Sequence, residues 1–351
     1  MSRFGHCWSF ARRQHGLTRN FTTGRQFNAT TNPTLVPFLL AGVTATCAVY
    51  LFWPNESRSA PTYGAKPLNP TYFTPATITA SETSSTDTKI LTLAVPPELL
   101  PKDSIEAPIW SVYIKDDDIQ VERPYTPLEG VDDNGHMRFW IKKYEKGEVG
   151  KWLHSKTVGD TIEIRGPMQT RPWKPHEWDE VVMISGGTGI TPFYQLLHKT
   201  FSVTGSRLKT RFTLLHSSRT PSELPPSDIL GPLLRYAKES PSCFSLGLFV
   251  DAFSEAKSPE YITQKINIGR IDRNAVQNMI QPEEDLPWWQ SIFFEKRTST
   301  VSPKRKILFL VCGPESMINA IAGPYGRNFS QGKVGGILEE MGCNSYQVWK
   351  M

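Results

Sequence analysis

The stretch SGGTGITP, residues 185–192, lies between an apolar run, DEVVMI, and a helix-like run, FYQLLHKTF. Glycines at such a junction leave backbone N–H groups free to meet an anion, and a helix that starts there adds its positive end. The letters match neither common phosphate loop. A dinucleotide fingerprint would need a third glycine where Pro192 stands, and a Walker loop would need Gly-Lys-Ser/Thr, with no lysine in the stretch. On its own the stretch reads as an anion site and no more.

A second constellation is RPYTPL, from Arg123 through Pro124, Tyr125, Thr126 and Pro127 to Leu128, placed between strand-like runs. Arginine offers a bidentate donor to phosphate. Tyrosine offers a flat face and threonine a hydroxyl beside it. Together they could hold a flavin by its phosphate, its ring and its ring edge; the plain alternative is a β-turn with an exposed arginine. Next comes KGEVGKW, where Gly147, Val149 and Gly150 offer backbone N–H groups near a helix start, suited to a diphosphate. IRGP (Arg165, Gly166, Pro167), the glycine loop and CGP (Cys312, Gly313, Pro314) follow in that order.

These motifs need two kinds of scaffold. ATITAS, KILTLAV, IWSVYIK, MRFWIKKY and DTIEIRG are short runs rich in β-branched and aromatic residues, separated by Pro, Asp and Gly. They predict an antiparallel barrel or sandwich over residues 72–173, with a turn of helix at GKWLHS. From residue 177 the pattern changes. VVMIS, RFTLLHSS, SLGLFV and ILFLVCG alternate with helical runs such as SDILGPLLRYAKE and PESMINAIAG, which predicts a parallel sheet covered by helices over 177–351.

Five motifs in this order, each on its own half, resemble the ferredoxin–NADP reductase superfamily and within it the NADH–cytochrome b5 reductase branch. The resemblance runs over residues 72–351, apart from an insertion near 281–305. It implies an FAD-binding β-barrel followed by a Rossmann-like NAD(P)H domain, with NADH or NADPH as electron donor. It implies that Arg123, Pro124, Tyr125 and Thr126 meet the flavin and its phosphate, and that Gly147, Val149 and Gly150 meet the diphosphate. Gly186, Gly187, Thr188 and Gly189 become the nicotinamide-dinucleotide pyrophosphate loop, with a helix starting after Pro192. Gly313 and Pro314 belong to the same nucleotide site. Thr126, Thr191 and Cys312 would stand beside the reacting rings, although Cys312 also reads as a small buried residue ending a strand. Ser217, Ser218 and Arg219 could take the 2′-phosphate of NADPH, or form a solvated loop. Two positions depart from the family pattern, with Gly150 where Ser is frequent and Thr86 aligned with a frequent His. The family's aromatic C-terminal position holds Met351.

The chain has 39 Lys and Arg against 34 Asp and Glu. The first 55 residues hold Arg3, Arg12, Arg13, Arg19 and Arg25, with no lysine and no acid, so the whole +5 excess belongs to them. The remainder is neutral and offers no basic field for nucleic acid. Asp116–Asp118 and Glu283–Asp285 read as solvated loop charge that could also guide docking. Cys7, Cys47, Cys243, Cys312 and Cys343 show no zinc, iron–sulfur or disulfide spacing, and no metal site is expected.

An Arg-rich, acid-free start predicts a mitochondrial presequence, taken as residues 1–27. Leu35 to Trp53 is uncharged and reaches about 28 Å as a helix, enough for one membrane span. Residues 54–71 are Pro-rich and predict a semi-rigid linker. This layout suits the inner membrane with the catalytic part facing the intermembrane space. It resembles fungal flavoproteins that assist cytochrome c import and haem attachment. The expected acceptor is then a haem protein or the haem-lyase machinery. The alternatives are an NADH–cytochrome b5 reductase and, from another class, a non-enzymatic import or scaffold factor.

Overall fold

The computed structural model describes residues 60–351, apart from 102–104, 106, 117–119, 171–176, 204–208, 253–261, 263 and 281–304. The expected presequence, the apolar run from Leu35 to Trp53 and the start of the expected linker lie outside the described residues. Among the described residues no helix is long and apolar enough to cross a membrane.

The first half is one antiparallel sheet. Its strands are β1 (Thr74–Thr83), β2 (Thr88–Ala94), β3 (Trp110–Lys115), β4 (Glu122–Tyr125), β5 (His136–Lys142) and β6 (Thr161–Gln169), in the spatial order β4-β3-β6-β1-β2-β5. Side chains alternate across such strands. Ala76 and Ile78 of β1, Leu91 and Leu93 of β2, and Val112 and Ile114 of β3 all turn inward to one core. The ladder is open rather than a closed barrel, with β4 and β5 as its edges. The Leu128 N–H, beyond the end of β4, bonds the Arg138 carbonyl of β5 at 2.8 Å and draws the two edge segments together.

RPYTPL is not wholly a turn between strands: Arg123, Pro124 and Tyr125 form most of β4, with Arg123 opposite Ile114 and Tyr125 opposite Val112. Pro124 has no N–H to give, and an edge strand is where a sheet tolerates that. The predicted turn at GKWLHS is a full helix, α1 (Glu148–Ser155).

The second half is a six-stranded parallel sheet of β7 (Glu180–Gly186), β8 (Arg211–Ser218), β9 (Phe244–Val250), β10 (Ile266–Ile268), β11 (Ile307–Cys312) and β12 (Val348–Lys350), ordered β10-β9-β8-β7-β11-β12. Its helices are α2 (Thr191–Val203), α3 (Ser227–Glu239), α4 (Arg273–Met279), α5 (Glu315–Ala322) and α6 (Gly336–Glu340). Every residue of β7 is buried, as a strand covered on both faces requires. The chain enters at β7, moves outward to β10 and returns to β11 on the other side. The switch point therefore falls between β7 and β11, where open α/β sheets bind their ligands.

Two further expectations change. Part of the 54–71 linker packs on the sheet: Leu68 is buried, its N–H bonds the Leu99 carbonyl at 2.7 Å, and Tyr72 donates to the Pro67 carbonyl. Asp116 is buried at the end of β3 and is not solvated charge. Its partners in that run, and Glu283–Asp285, lie outside the described residues.

One buried side chain joins the two sheets. Gln195 of α2 accepts from the Trp110 N–H at 2.7 Å and donates to the Pro127 carbonyl at 2.8 Å. Around it Phe193, Tyr194 and Leu197 share a core with Ile90, Ile109, Leu128 and Trp140 of the first half. Replacing Gln195 with Leu would strand two buried backbone groups. We expect a loss of about 2–4 kcal/mol, read as a lower urea midpoint of the flavin-loaded protein. An unchanged midpoint would rule the clasp out.

Candidate active site

The two edges of the open antiparallel sheet and the switch point of the parallel sheet border one cleft of about 780 Å³. It runs into a second cavity of about 500 Å³, and Lys142, Tyr144, Gly186 and Pro314 line both. Such volumes suit a small-molecule or cofactor site.

One wall is β4 and the residue after it. Arg123, Pro124, Tyr125 and Thr126 all line the cleft. Arg123 is exposed, and its hydrogen bond among the described residues goes to the Glu122 carbonyl at 2.8 Å, which leaves most of its donors for a ligand. Burial pushes the Tyr125 phenol up against the pull of Arg123, so it stays neutral and presents a ring. Arg165 of IRGP turns away, with its guanidinium on Glu122 and on the Pro70 carbonyl.

The floor is the start of α1. Gly147 caps this helix without any side-chain acceptor, so the first N–H groups remain free beside the cleft that Gly147, Val149 and Gly150 line. Lys89 fixes the other end of α1 by donating to the His154 and Lys156 carbonyls, a cation placed where the helix is negative. A Cβ at position 150 would stand 2.8 Å from the Lys142 carbonyl. Glycine there lets α1 lie against β5, which is more than the loss of a serine hydroxyl. Thr86 is exposed in the β1–β2 turn and is not among the cleft-lining residues, so a relay through that position has no geometry here.

The opposite wall carries the glycine loop. A short 3₁₀ turn (Gly187–Ile190) precedes α2, which begins at Thr191, one residue before Pro192. Proline fits because the first turn of a helix needs no N–H there. A Cβ on Gly189 would meet the Cys312 carbonyl at 2.4 Å, and one on Gly186 would meet the Met317 sulfur at 2.6 Å. These glycines let the loop after β7 lie directly on the loop after β11, while Gly187 uses a positive φ of 53° to make the turn. Gly186, Thr188, Gly189, Thr191, Cys312, Gly313 and Pro314 share the cleft with Arg123 and Tyr125. Burial pushes the Cys312 thiol up to about 12, so it is a neutral thiol near pH 7 and not a nucleophile.

The second cavity gathers Gly187, Ser217, Ser218 and Arg219. Arg219 extends into solvent and pairs with Glu223 at 3.2 Å. Motif reading missed Glu223, and it missed Lys142, which is 9% exposed and joins Asp87 at 3.1 Å to Glu223 at 2.7 Å. Burial works against the Lys142 ammonium, but its hydrogen bonds to Glu223 and Asp87 outweigh that and hold it above its ordinary value. Trp140, also missed, lines the first cleft and has a buried indole N–H with no acceptor among the described residues. A lone Lys, Glu or Trp has no signature until the two halves meet.

A buried relay lies behind the loops. Ser185 and the His216 Nδ1 are 2.9 Å apart, His216 Nε2 is 3.2 Å from the Ser218 hydroxyl, and that hydroxyl donates to the Glu223 carbonyl. A neutral ring satisfies the chain, accepting from Ser185 and donating to Ser218. Ser185 precedes the glycine loop and Ser218 lines the second cavity, so His216 ties one to the other.

Comparison with known proteins agrees with this geometry. Residues 75–173 match the oxidoreductase FAD-binding domain and residues 183–323 match the oxidoreductase NAD-binding domain. The NADH-cytochrome b5 reductase 2 of Lodderomyces elongisporus is 30% identical over 275 residues, which is 77% of this chain and 80% of that protein. The chain belongs to the NADH–cytochrome b5 reductase family. An uncharacterized FAD-binding protein of Schizosaccharomyces pombe is 30% identical over 323 residues, 90% of this chain and 97% of that protein. In fold, the chain is similar to the cytochrome b5 reductase domain of Ulva prolifera nitrate reductase, with a TM-score of 0.59 at 20% identity, covering 82% of this chain and all of that one.

This reductase is therefore an FAD-dependent NADH oxidoreductase, and the residues present fit both cofactors. Bare N–H groups at α1, the free Arg123 donors and the unpartnered Trp140 N–H suit FAD. The glycine loop and the second cavity suit NAD.

The relay also makes stability depend on pH. Burial pulls His216 down to about 3, whereas an unfolded histidine titrates near 6.5. The stabilisation is whole above about 6.5 and is lost as pH falls toward the folded value, because the unfolded chain takes up the proton first. Between about pH 7 and about pH 5 this site should cost about 2 kcal/mol, measured by denaturant unfolding. His216→Gln should flatten that part of the profile, and an unchanged slope would show that another group causes it.

Proposed function

We propose that this reductase is a membrane-anchored mitochondrial enzyme that passes electrons from NAD(P)H through FAD to haem or a haem protein, in support of haem attachment to cytochrome c. The observation that carries the electron-transfer part is the single cleft that joins the flavin wall to the nucleotide loop. Bound FAD supplies the change from a two-electron hydride to single electrons, which suits haem iron.

The chain's own residues perform the binding and alignment. Arg123 and the start of α1 hold phosphates, while Tyr125 and Thr126 set the ring. The glycine loop, Thr191 and Gly313 bring the nucleotide from the facing side. Lys142 spans both cavities and keeps the facing walls in register. Cys312 fills the end of β11 beside them as a neutral thiol, so protons and electrons need not pass through sulfur.

The acceptor reading is supported by the names of the relatives, several of which are NADH-cytochrome b5 reductases. The mitochondrial reading is supported by the acid-free residues 1–55 and the uncharged run from Leu35 to Trp53. The second reading is a cytochrome b5 reductase with no role in haem attachment.

Two experiments test this. The purified protein should be yellow, and with NADH or NADPH under anaerobic conditions it should reduce ferric haem free or bound to apocytochrome c. Reduction of cytochrome b5 without reduction of haem would favour the second reading. Protease should spare the catalytic part in intact mitochondria and cut it once the outer membrane is ruptured. Digestion in intact organelles would place it on the outer surface instead.

A further inference from the structure

The segment between α5 and α6, residues 323–335, ends in a tip that shows an aromatic ring to water. Phe329 is 86% exposed. Asn328 and Phe329 both take positive φ, 54° and 56°, a region that residues with a Cβ avoid. The fold holds this conformation rather than tolerating a loose loop. The Gly326 N–H bonds the Ser330 carbonyl at 2.9 Å, and the Ser330 N–H bonds the Arg327 carbonyl at 3.1 Å. A Cβ on Gly332 would meet the Gly326 nitrogen at 2.7 Å, so the two arms of the tip touch backbone to backbone.

The base of the segment is pinned to the end of β12. Lys350 is 3% exposed, and its ammonium donates to the Gly323, Pro324 and Lys333 carbonyls at 3.2, 2.7 and 3.1 Å. Gln331 accepts from the Lys350 N–H and donates to the Lys350 carbonyl. Tyr325 donates to the Met351 carbonyl at 2.7 Å and meets the Phe329 ring edge-on at 6.1 Å. Met351 lines the cleft beside Cys312 and Gly313. The tip is thus one ring and one strand end away from the cleft.

Its charge has one sign. From Ser316 to Leu338 the chain carries Arg327 and Lys333 and no acid, and both cations are exposed. Glu315 precedes the segment, and Glu339 and Glu340 follow it. An exposed aromatic between two cations suits an interface in which the ring is buried and the cations meet acidic groups.

We propose that the 323–335 tip is the docking point of the electron acceptor, with Phe329 as its apolar anchor and Arg327 and Lys333 pairing with an acidic face around the acceptor's redox group. This rests on the haem-protein acceptor of the reading given above, in the form of an acidic, cytochrome b5-like partner rather than cytochrome c itself. The position of the tip beside the cleft favours a redox protein over a membrane surface or a second copy, because an acceptor has to reach the flavin there. A basic acceptor would be repelled by the two cations.

The test uses the full flavin-loaded chain and three acceptors: ferricyanide, soluble ferricytochrome b5 as an acidic haem protein, and ferricytochrome c as a basic one. In Phe329→Ala and in Arg327→Glu/Lys333→Glu, the flavin spectrum, the KM for NADH and the ferricyanide rate should stay as they are, which shows an intact fold and cleft. The KM for ferricytochrome b5 should rise about tenfold in the charge variant, and its fall in rate with salt should flatten. Calorimetric binding of ferricytochrome b5 to the oxidised enzyme should weaken in parallel. Equal KM, binding and salt dependence in wild type and variants would overturn the proposal. Loss of anionic-vesicle binding, or of self-association, in the variants with unchanged ferricytochrome b5 kinetics would overturn it in favour of a membrane or a second copy. Binding at the tip without haem reduction would sustain the docking point and overturn the haem-acceptor reading instead.

Discussion

The backbone at Gly189 lies against the carbonyl of Cys312 with no room for a side chain, and the cleft depends on that contact. It brings the loop after β7 onto the loop after β11 at the switch point of the parallel sheet. A methyl group at position 189 would stand 2.4 Å from that oxygen, well inside van der Waals contact, and would push the loops apart. The glycines of GGTGITP thus serve packing first. Gly187 makes the turn, Gly186 and Gly189 allow the approach, and the N–H groups they leave at the start of the helical turn follow as a consequence. That is why the stretch has the setting of a phosphate loop without the letters of either common one.

The facing wall obeys a different constraint. The antiparallel sheet does not pair β4 with β5, and an open seam would expose edges that invite misassembly. Here the seam is covered by α2 and the loops of the second half. Gln195 satisfies the Trp110 N–H and the Pro127 carbonyl, and Lys142 links Asp87 to Glu223. Polar pins of this kind add direction to an apolar interface, since each is costly to leave unpaired. The opening that remains is the cleft, so the binding site is the part of the seam that the second half does not fill.

Chemistry at the site relies on groups kept neutral. His216, Tyr125 and Cys312 are each pushed by burial toward the uncharged form. A cleft that takes phosphates and a flat ring gains from this, because Arg123, Lys146 and Lys142 then supply its positive charge beside neutral Tyr125 and Cys312. The buried Lys350 follows the same economy with three backbone carbonyls in place of a carboxylate, and it spends its charge on holding a surface tip beside the cleft.

The sequence by itself determined the two halves, their order and the motifs that line the cleft. Period-two runs and doubly buried apolar runs are local signals, and RPYTPL, GGTGITP and CGP are contiguous, so each survives without knowledge of the fold. Its limits were equally physical. Pro124 hid β4, because an edge strand needs fewer N–H groups than a strand reading assumes. Asp116 read as solvated charge and is buried, since burial is a property of neighbours and not of residue type. Only the tertiary structure decided that Lys142, Glu223 and Trp140 line the site and that Gln195 clasps the two halves behind it. Lys142 meets Glu223, and Gln195 meets Trp110, across the interface of the two sheets. Contacts between residues so far apart in the chain leave no spacing to read; they exist because burying the seam brings those residues together.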